Sequence, residues 1–421
     1  MHATLGSDIR PAAPRRVMAY CHDSVGIGHL RRTLAICERI GASHPDCSFL
    51  LATGTPYISL FSEQFHVDCI KLPALAKESD GHYHSRYLSL SLEELLRCRS
   101  SLLLEAARTY RPDVMLVDKA PLGVCRELVP TLRWLRQNRP DVRIVFGMRD
   151  IEDDPQVTIR AWTGDGVQEV IEECYDEVWV YGMPSIFDVA AQYRLPPAVQ
   201  RKLRYMGYIA RPPCPHDSSA LGQTSRSACE APRPQPTVLV TVGGGTDGER
   251  ILSCYLDAAA ARVGQVGARS VVVGGPDLPK EAGARLRQRA AQTPATHWLD
   301  FEPCMSCRIR RADLVVTMGG YNTLCELAVQ RKPALVIPRT KPRLEQKIRA
   351  ELWERLGAVR MLREGDFHPA GLADRVAELL RDPPAADHSA LDLNGLEHVA
   401  ERFASFFSPA QEARRAAAVR L

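Results

Sequence analysis

The stretch MGGYNTLCELAVQRKPALVIPR, which runs from Met318 to Arg339, has the sequence signals of a tight turn, a helix and a strand. It follows the apolar run DLVVT, so Gly319 and Gly320 come where a buried strand must turn into a helix. Glu326 follows six residues after the second glycine. Glycine lets backbone N–H groups approach an anion closely, and a helix N-terminus carries partial positive charge. The stretch therefore predicts an anion-binding turn with one carboxylate on the first turns of a helix.

The same order of strand, glycine loop and helix recurs along the chain. RVMAYCHDSVGIGHLRRTLAI begins one half and TVLVTVGGGTDGERILSCYL begins the other, and short Val-, Ile- and Leu-rich runs alternate with helical spacing in both. This alternation predicts an α/β protein with two Rossmann-like, doubly wound parallel sheets. A stretch rich in proline and serine separates the halves. The predicted parts are an N-terminal domain (1–210), a linker (211–236), a C-terminal domain (237–390) and a C-terminal helical segment (391–421).

Composition excludes several classes of protein. The net charge of +4 is too small for a chain of 421 residues to indicate nucleic-acid binding. No apolar run is long enough for a transmembrane helix, and the N-terminus lacks the apolar core of a secretory signal. The 13 cysteines are scattered, and their only tight pair, Cys304 and Cys307, has no second pair at zinc spacing. We therefore expect a reducing, cytoplasmic compartment and no structural zinc.

Three glycine loops follow strands and are expected at the ligand-facing edge of a sheet. They contain Gly26 and Gly28 after VMAYC, the triplet Gly243–Gly245 after TVLVTV, and the pair Gly319 and Gly320. None matches a phosphate-binding motif by itself, so the glycines could simply allow tight turns. Glu326 is likewise open to two interpretations, as a ligand for vicinal hydroxyls or as a solvated glutamate on a helix face.

The order of these motifs resembles glycosyltransferase family 28 of the GT-B superfamily, which includes the peptidoglycan N-acetylglucosaminyl transferase. The motifs that carry the resemblance are Gly26-Ile27-Gly28-His29, MGYIAR with Arg211 last, TVGGG, GGYNTLCE with PALVIPR, and RLEQKIRA. They cover about 320 residues in the family's order. The resemblance implies two Rossmann-like domains that face each other across a cleft.

The resemblance also implies a site for a nucleotide-sugar donor. Glu326 would hold the ribose hydroxyls, the glycine loops would offer amides to the diphosphate, Arg211 would add a cation there, and Glu345 and Gln346 would contact the donor sugar. The residues expected to bind the nucleotide-sugar are Gly28, Arg211, Gly243, Gly244, Gly245, Gly319, Gly320, Asn322, Thr323, Glu326, Glu345 and Gln346.

His29 is the candidate catalytic base, because histidine titrates nearest neutrality and this one follows a glycine loop of the acceptor half. It could also merely cap or pack the helix start, and His22 is its competitor. Asp118, Arg149 and Asp150 end strands on the same side and are further acceptor-side candidates. The segment Met148–Pro155 (MRDIEDDP) is acidic enough to suggest a metal, but Asp-Pro at its end is better explained as a helix start.

The expected function is transfer of a sugar from a nucleotide-diphosphate donor, UDP-linked, to an acceptor hydroxyl, with inversion and without a metal or other cofactor. A nucleotide-sugar hydrolase or epimerase on the same scaffold is the alternative, and a non-catalytic nucleotide-sugar-binding protein is a third. The acceptor, whether sugar, small molecule or lipid-linked compound, is left open. So is peripheral association with the inner face of the membrane.

Overall fold

The strands form two parallel sheets, as expected for two Rossmann-like domains. The computed structural model describes residues 14–22, 27–58, 65–77, 82–212, 214, 235–261, 267–384 and 387–407. Over these residues the first sheet has seven strands in the order β3-β2-β1-β6-β7-β8-β9, and the second has six in the order β12-β11-β10-β13-β14-β15. The predicted fold class is confirmed. The predicted domain bounds stay a prediction, since most of the linker lies outside the described residues.

The strands are short, and the central ones are buried along their whole length. Strands β6, β8 and β10 contain no exposed residue, which is the pattern of a parallel sheet covered by helices on both faces. The strands are β1 (Arg15–Cys21), β2 (Cys47–Thr53), β3 (Asp68–Lys71), β4 (Leu75–Lys77), β5 (Tyr83–Ser85), β6 (Val114–Asp118), β7 (Arg143–Arg149), β8 (Glu177–Tyr181), β9 (Leu203–Tyr205), β10 (Thr237–Thr241), β11 (Arg269–Val273), β12 (Thr296–Leu299), β13 (Leu314–Thr317), β14 (Ala334–Val336) and β15 (Arg360–Met361). Strands β4 and β5 form a separate antiparallel pair.

Helices connect most of the consecutive strands, and some of them begin at side-chain caps. Ser91 and Glu94 form a reciprocal capping box at one helix, and Asp154 caps another whose first residue is Pro155. The helices are α1 (Gly28–Ser43), α2 (Leu92–Tyr110), α3 (Val129–Asn138), α4 (Pro155–Gly164), α5 (Val167–Cys174), α6 (Val189–Gln192), α7 (Pro197–Gln200), α8 (Glu249–Ala261), α9 (Lys280–Gln292), α10 (Met305–Arg311), α11 (Tyr321–Val329), α12 (Glu345–Arg355), α13 (Pro369–Arg381) and α14 (Gly395–Ser405). None of these helices has the length and apolar composition to cross a membrane.

Each sheet has a topological switch point, where the strand order reverses. Strands on one side of it follow one another toward one edge of the sheet, and later strands follow toward the other edge. In the first sheet it lies between β1 and its neighbour β6, and in the second between β10 and β13. Ligands of doubly wound proteins bind beyond the carboxyl ends of the strands at such points. The glycine loops that follow β10 and β13, and Gly28 at the start of the helix after β1, lie at these points, so the topology places them where ligands bind. Gly26 lies outside the described residues.

The C-terminal helix α14 returns to the first domain. Arg39 Nε donates to Glu397 Oε2 at 2.8 Å, and Arg402 Nε donates to Glu177 Oε2 at 3.0 Å. The Trp179 and Phe406 rings stack with centroids 6.0 Å apart. The chain therefore crosses between the domains a second time after the second sheet is complete.

Candidate active site

A cleft lies between the two domains at the switch points of both sheets. Ten of the site residues predicted from the sequence line it: Gly28, His29, Gly243, Gly244, Gly320, Asn322, Thr323, Glu326, Gln346 and the acceptor-side candidate Arg149. Gly245, Gly319, Arg211, Glu345, His22, Asp118 and Asp150 are described but lie behind or beside this lining. The structure thus brings the predicted residues of both halves together around one cavity.

The glycine loops of the second domain have the two roles that the sequence left open. Gly245 has φ +98°, and a Cβ there would lie 2.5 Å from the Gly274 carbonyl oxygen. Gly319 has φ +79°, and its Cβ would lie 2.8 Å from Val336 Cγ1. These two glycines are needed for the turns themselves. Gly243, Gly244 and Gly320 line the cleft, where their backbone can approach a ligand, and Gly243 also has a left-handed φ of +66°.

A further glycine, Gly275, was missed by the sequence analysis. It follows β11 in the run VVVGGP, lines the cleft, and has φ +91°. A Cβ at this position would lie 2.5 Å from the Gly243 carbonyl oxygen, so the two loops pack backbone against backbone. The same sequence signal, glycine after a buried strand, identifies it.

Glu326 lies on the second turn of α11, whose N-cap is Gly320, and its side chain is 4% exposed. Arg211 donates to its Oε1, and Arg31 Nη2 lies 3.9 Å from the same oxygen. Burial alone would raise the pKa of Glu326, but the charges of Arg211 and Arg31 lower it below the usual value. The carboxylate is therefore ionised at neutral pH and can accept hydrogen bonds from hydroxyl groups.

Two arginines of the first domain bring positive charge to the cleft. Arg31 and Arg149 both line it, and the Nε atom of each is buried without a hydrogen-bond partner. Burial lowers the pKa of Arg149 to about 10, so the guanidinium stays charged at neutral pH. Arg31 was not singled out from the sequence, although it belongs to the Gly-His-Leu-Arg-Arg run at the start of α1. Buried N–H groups without partners, on cations that face a cleft, are suited to an anionic ligand.

His29 is held by a buried ion pair. Its Nδ1 lies 2.7 Å from Asp118 Oδ2, and Arg32 donates through Nε and Nη2 to Asp118 Oδ1 at 3.0 and 2.7 Å. Burial would raise the pKa of Asp118, but the Arg32 charge and the His29 hydrogen bond lower it to about 2. Arg32 Nη2 also lies 2.8 Å from His29 Nδ1, so this ring nitrogen faces both an acceptor and a donor. In the tautomer that donates a hydrogen bond from Nδ1 to the ionised Asp118, Nε2 is the ring nitrogen that can take a proton from a substrate.

The protonation of both histidines follows from burial. Burial lowers the pKa of His29 to about 3, against the opposing effect of Asp118, and Arg32 lowers it further. Burial also lowers the pKa of His22 well below its usual value, and the two rings lie 6.4 Å apart. Both imidazoles are neutral at neutral pH. His29 lines the cleft and has an orienting carboxylate, whereas the His22 Nδ1 is buried without a partner.

The acidic segment Met148–Pro155 does not gather its carboxylates around one point. Each has its own partner: Asp150 pairs with Arg349, Glu152 with Lys119, Asp153 accepts from the Leu344 N–H at 2.7 Å, and Asp154 caps α4. Within the described part of the chain, no group of three acidic or histidine side chains converges as metal ligands would. The helix-start interpretation of Asp154 agrees with this geometry.

The remaining expected contacts lie at the edge of the cleft. Asn322 donates through Nδ2 to the Gly28 carbonyl at 2.8 Å, so it ties the domains together beside the glycine loop. Gln346 accepts through Oε1 from the Arg339 N–H at 3.2 Å. Glu345 pairs with Arg339 and is 3% exposed, with its Oε2 buried and without a partner. Burial would raise the pKa of Glu345, but Arg149 and Arg339 lower it.

The fold and this site define a class of protein. Over 93% of this chain and 100% of the other, the structure matches MurG of Acinetobacter baumannii with a TM-score of 0.57 at 13% identity. It matches a putative UDP-N-acetylglucosamine 2-epimerase from Listeria monocytogenes over 94% and 98% of the two chains, with a TM-score of 0.62 at 11% identity. These likenesses establish the two-domain GT-B fold.

Sequence comparison matches the second domain to a family model. Residues 237–403 match the glycosyltransferase family 28 C-terminal domain. The chain is 28% identical over 233 residues to the UDP-N-acetylglucosamine--N-acetylmuramyl-(pentapeptide) pyrophosphoryl-undecaprenol N-acetylglucosamine transferase of Symbiobacterium thermophilum, covering 54% of this chain and 60% of the relative. The chain spans roughly half the length of the curated relatives it matches. The resemblance to family 28 predicted from the sequence is confirmed.

Proposed function

We propose that this protein is a glycosyltransferase that moves a sugar from a nucleoside-diphosphate donor, UDP-linked, to an acceptor hydroxyl. The observation that carries the proposal is the composition of the cleft. A buried carboxylate on the second turn of α11 and cleft-lining glycines of the second domain face a neutral histidine, with its orienting carboxylate, on the first domain. The family 28 match of the second domain supports a nucleotide-sugar donor.

The second domain would bind the donor. Glu326 is ionised and can accept two hydrogen bonds from the vicinal hydroxyls of a ribose. The backbone of Gly243, Gly244 and Gly320 can approach the diphosphate. Arg31 and Arg149 would neutralise the diphosphate from the opposite side of the cleft, because each has a buried Nε without a partner.

The first domain would activate the acceptor. His29 Nε2 would take the proton of the acceptor hydroxyl as that oxygen attacks the anomeric carbon and the nucleoside diphosphate leaves. Asp118 would hold the imidazole in the required tautomer, and Arg32 would keep Asp118 ionised. A single displacement of this kind inverts the anomeric centre. His22 is the competing base.

The donor can be identified before the acceptor. We would incubate the full chain with uridine, thymidine and guanosine diphosphates and their sugars and measure the shift of the thermal unfolding midpoint. Ligands that bind only the native state stabilise it according to concentration and affinity. We expect uridine diphosphate and one of its sugars to give the largest shift. No shift with any nucleotide would contradict the proposal.

Catalysis without a metal at the diphosphate is part of the proposal. The cations that face the cleft are arginines, and the carboxylates of Met148–Pro155 are each engaged elsewhere. Once donor and acceptor are known, EDTA should leave turnover unchanged at saturating donor. Activity that EDTA removes and magnesium or manganese restores would contradict this, and would draw Asp150 and Asp153 into the site.

A nucleotide-sugar hydrolase or epimerase is the alternative, and the likeness to a putative 2-epimerase is the observation that favours it. That likeness rests on the fold, whereas the family 28 match is to a transferase domain. The two functions separate in one assay. Release of free sugar or its epimer from the donor without any acceptor would favour the alternative.

We propose a lipid-linked compound as the acceptor class to test first. The curated relatives carry pyrophosphoryl-undecaprenol in their names. Tyr87 is 74% exposed and Leu88 48% exposed. Exposed apolar side chains of this kind suit an acceptor held at a membrane surface on the cytoplasmic side. Equal turnover with a free sugar and with a lipid-linked acceptor would contradict this.

A further inference from the structure

Three cysteines from distant parts of the sequence meet beside the cleft. Cys304 is the N-cap residue of α10, Cys307 lies on its first turn, and Cys214 belongs to the linker between the domains. Their sulfur atoms all lie within 4.8 Å of one another, and the Cys304 and Cys307 sulfurs are 2.9 Å apart. Among the residues that the structure describes, this is the group of three whose side chains converge as metal ligands do.

The local structure holds the three thiols in place. The Cys304 backbone N–H donates to Glu302 Oε1 at 3.0 Å, and Glu302 Oε2 accepts from Arg308 Nε at 2.5 Å. Arg310 Nη2 donates to the Cys214 carbonyl at 3.3 Å, which fixes the linker backbone against α10. Hydrogen bonds that orient ligand residues are a regular feature of metal sites.

We propose that Cys214, Cys304 and Cys307 bind a zinc ion that fastens the start of the linker to the second domain. Thiolates select soft or borderline ions over magnesium and calcium, which take oxygen ligands. Three thiolates with a water molecule complete the four-coordinate geometry that zinc adopts. The group lies beside the proposed donor site, since its neighbours Glu302 and Met305 line the cleft, and the zinc ion would have a structural role there.

A metal ion deprotonates the thiols that coordinate it, so three converging cysteines can bind a soft or borderline cation as thiolates. The three sulfurs come from segments 90 residues apart in sequence, so no spacing rule for zinc motifs identifies them.

The position of the group gives the metal a structural role. Cys214 follows three residues after Arg211, whose guanidinium pairs with Glu326. The first turn of α10 also contributes Met305 to the lining of the cleft. A zinc ion at the three sulfurs would fix Arg211 and the edge of the nucleotide site relative to each other.

The experiment measures metal binding directly, so its outcome does not depend on the proposed activity. The full chain is reduced, stripped of metal, and titrated with zinc against a chromophoric chelator, and separately with cobalt to record thiolate-to-cobalt charge-transfer absorption. We expect one metal ion per chain and a charge-transfer band. Cys214→Ser, Cys304→Ser and Cys307→Ser should each weaken zinc binding by more than about a hundredfold, because loss of an outer-shell partner alone costs up to that much.

Cys98→Ser is the matched control, since Cys98 is an exposed thiol on α2. It should bind zinc as the unaltered chain does. Circular dichroism of Cys214→Ser checks that the fold is kept, and this linker substitution removes a ligand without touching a helix. The proposal is overturned if the reduced chain gives no charge-transfer band, or if Cys214→Ser and Cys98→Ser bind zinc equally.

Discussion

Glu326 is a carboxylate whose charge is fixed by arginines from two segments. Arg31 lies on α1, and Arg211 lies after β9, the last strand of the first domain. A buried carboxylate between two cations is ionised, and it can still accept hydrogen bonds from hydroxyl groups at its remaining lone pairs. At the scale of the residue, the ribose hydroxyls would therefore add hydrogen bonds to a Glu326 carboxylate that Arg31 and Arg211 already keep ionised.

Replacing Glu326 tests that contact. Each hydrogen bond to a charged group contributes about 1.5–3 kcal/mol, so Glu326→Ala should raise the donor KM roughly tenfold or more. Turnover at saturating donor should change much less. Glu378→Ala, at an exposed glutamate of α13, is the control and should leave both constants unaltered. A donor KM equal to that of the unaltered protein would remove Glu326 from the nucleotide site.

The pKa of His29 makes a second prediction about a single residue. A base works only while unprotonated, so the rate falls as the pH drops through its pKa. Because burial lowers the pKa of His29 to about 3, kcat/KM should show no acid limb from this residue between about pH 5 and 8. His29→Ala and Asp118→Asn should each cut turnover by about a hundredfold or more without changing donor KM.

His297→Ala, at an exposed histidine of β12, is the control for His29. An acid limb near pH 6.5 that disappears in His29→Ala would show that the imidazole is more solvated than its burial implies. Near-normal turnover in His29→Ala, together with loss of turnover in His22→Ala, would transfer the role of base to His22.

The sequence identified single residues better than their partners. Gly28, His29 and Glu326 were found because each follows a strand and a glycine turn, which are local signals. The pairing of His29 with Asp118 spans 89 residues and depends on β1 lying next to β6 in the sheet. Arg31 was missed because an arginine on an amphipathic helix has the same local pattern whether it faces solvent or a cleft. Side-chain partners over such separations depend on the tertiary fold.

At the scale of the element, the two glycines of the turn before α11 have different roles, one in forming the turn and one in facing the cleft. Gly319 sits in the left-handed region and against Val336, so it determines the turn. Gly320 is the N-cap with φ −60°, an ordinary value, and a Cβ there would meet no atom within 4 Å. The sequence predicted this turn and its position, but it could not show which glycine the backbone requires and which one the ligand requires.

Alanine at each position should separate the two roles. Gly319→Ala forces an L-residue into a left-handed conformation, at about 1–2 kcal/mol, and adds a clash with Val336. It should lower the unfolding midpoint. Gly320→Ala should leave that midpoint unchanged and weaken donor binding, because the methyl group enters open space beside the cleft. Unfolding by urea and donor titration measure both. Equal effects of the two substitutions on stability would contradict this division.

At the scale of the whole molecule, buried polar contacts hold the domains together around the cleft. Arg349 of α12 donates through Nε and Nη2 to the two Asp150 oxygens at 2.8 and 2.6 Å. Tyr321 of α11 accepts from the Ile209 N–H and donates to the Tyr181 carbonyl, both at 2.9 Å. Asp150 was expected from the sequence on the acceptor side. In the structure Asp150 forms an ion pair with Arg349, which is a contact between the two domains.

The Asp150–Arg349 pair should therefore stabilise the interface between the two domains. Both side chains are at most 2% exposed, and removing one partner of a buried ion pair costs about 3–5 kcal/mol because the other charge is left uncompensated. We expect Arg349→Met to lower stability to urea by that amount and to increase the radius of gyration measured by X-ray scattering. Arg363→Met, at an arginine whose side chain is 61% exposed, is the control. The double substitution Asp150→Asn with Arg349→Met should recover part of the loss, because no lone buried charge remains. If Arg349→Met unfolds at the same urea concentration as the control, the domains are held by the apolar contacts and Tyr321 instead.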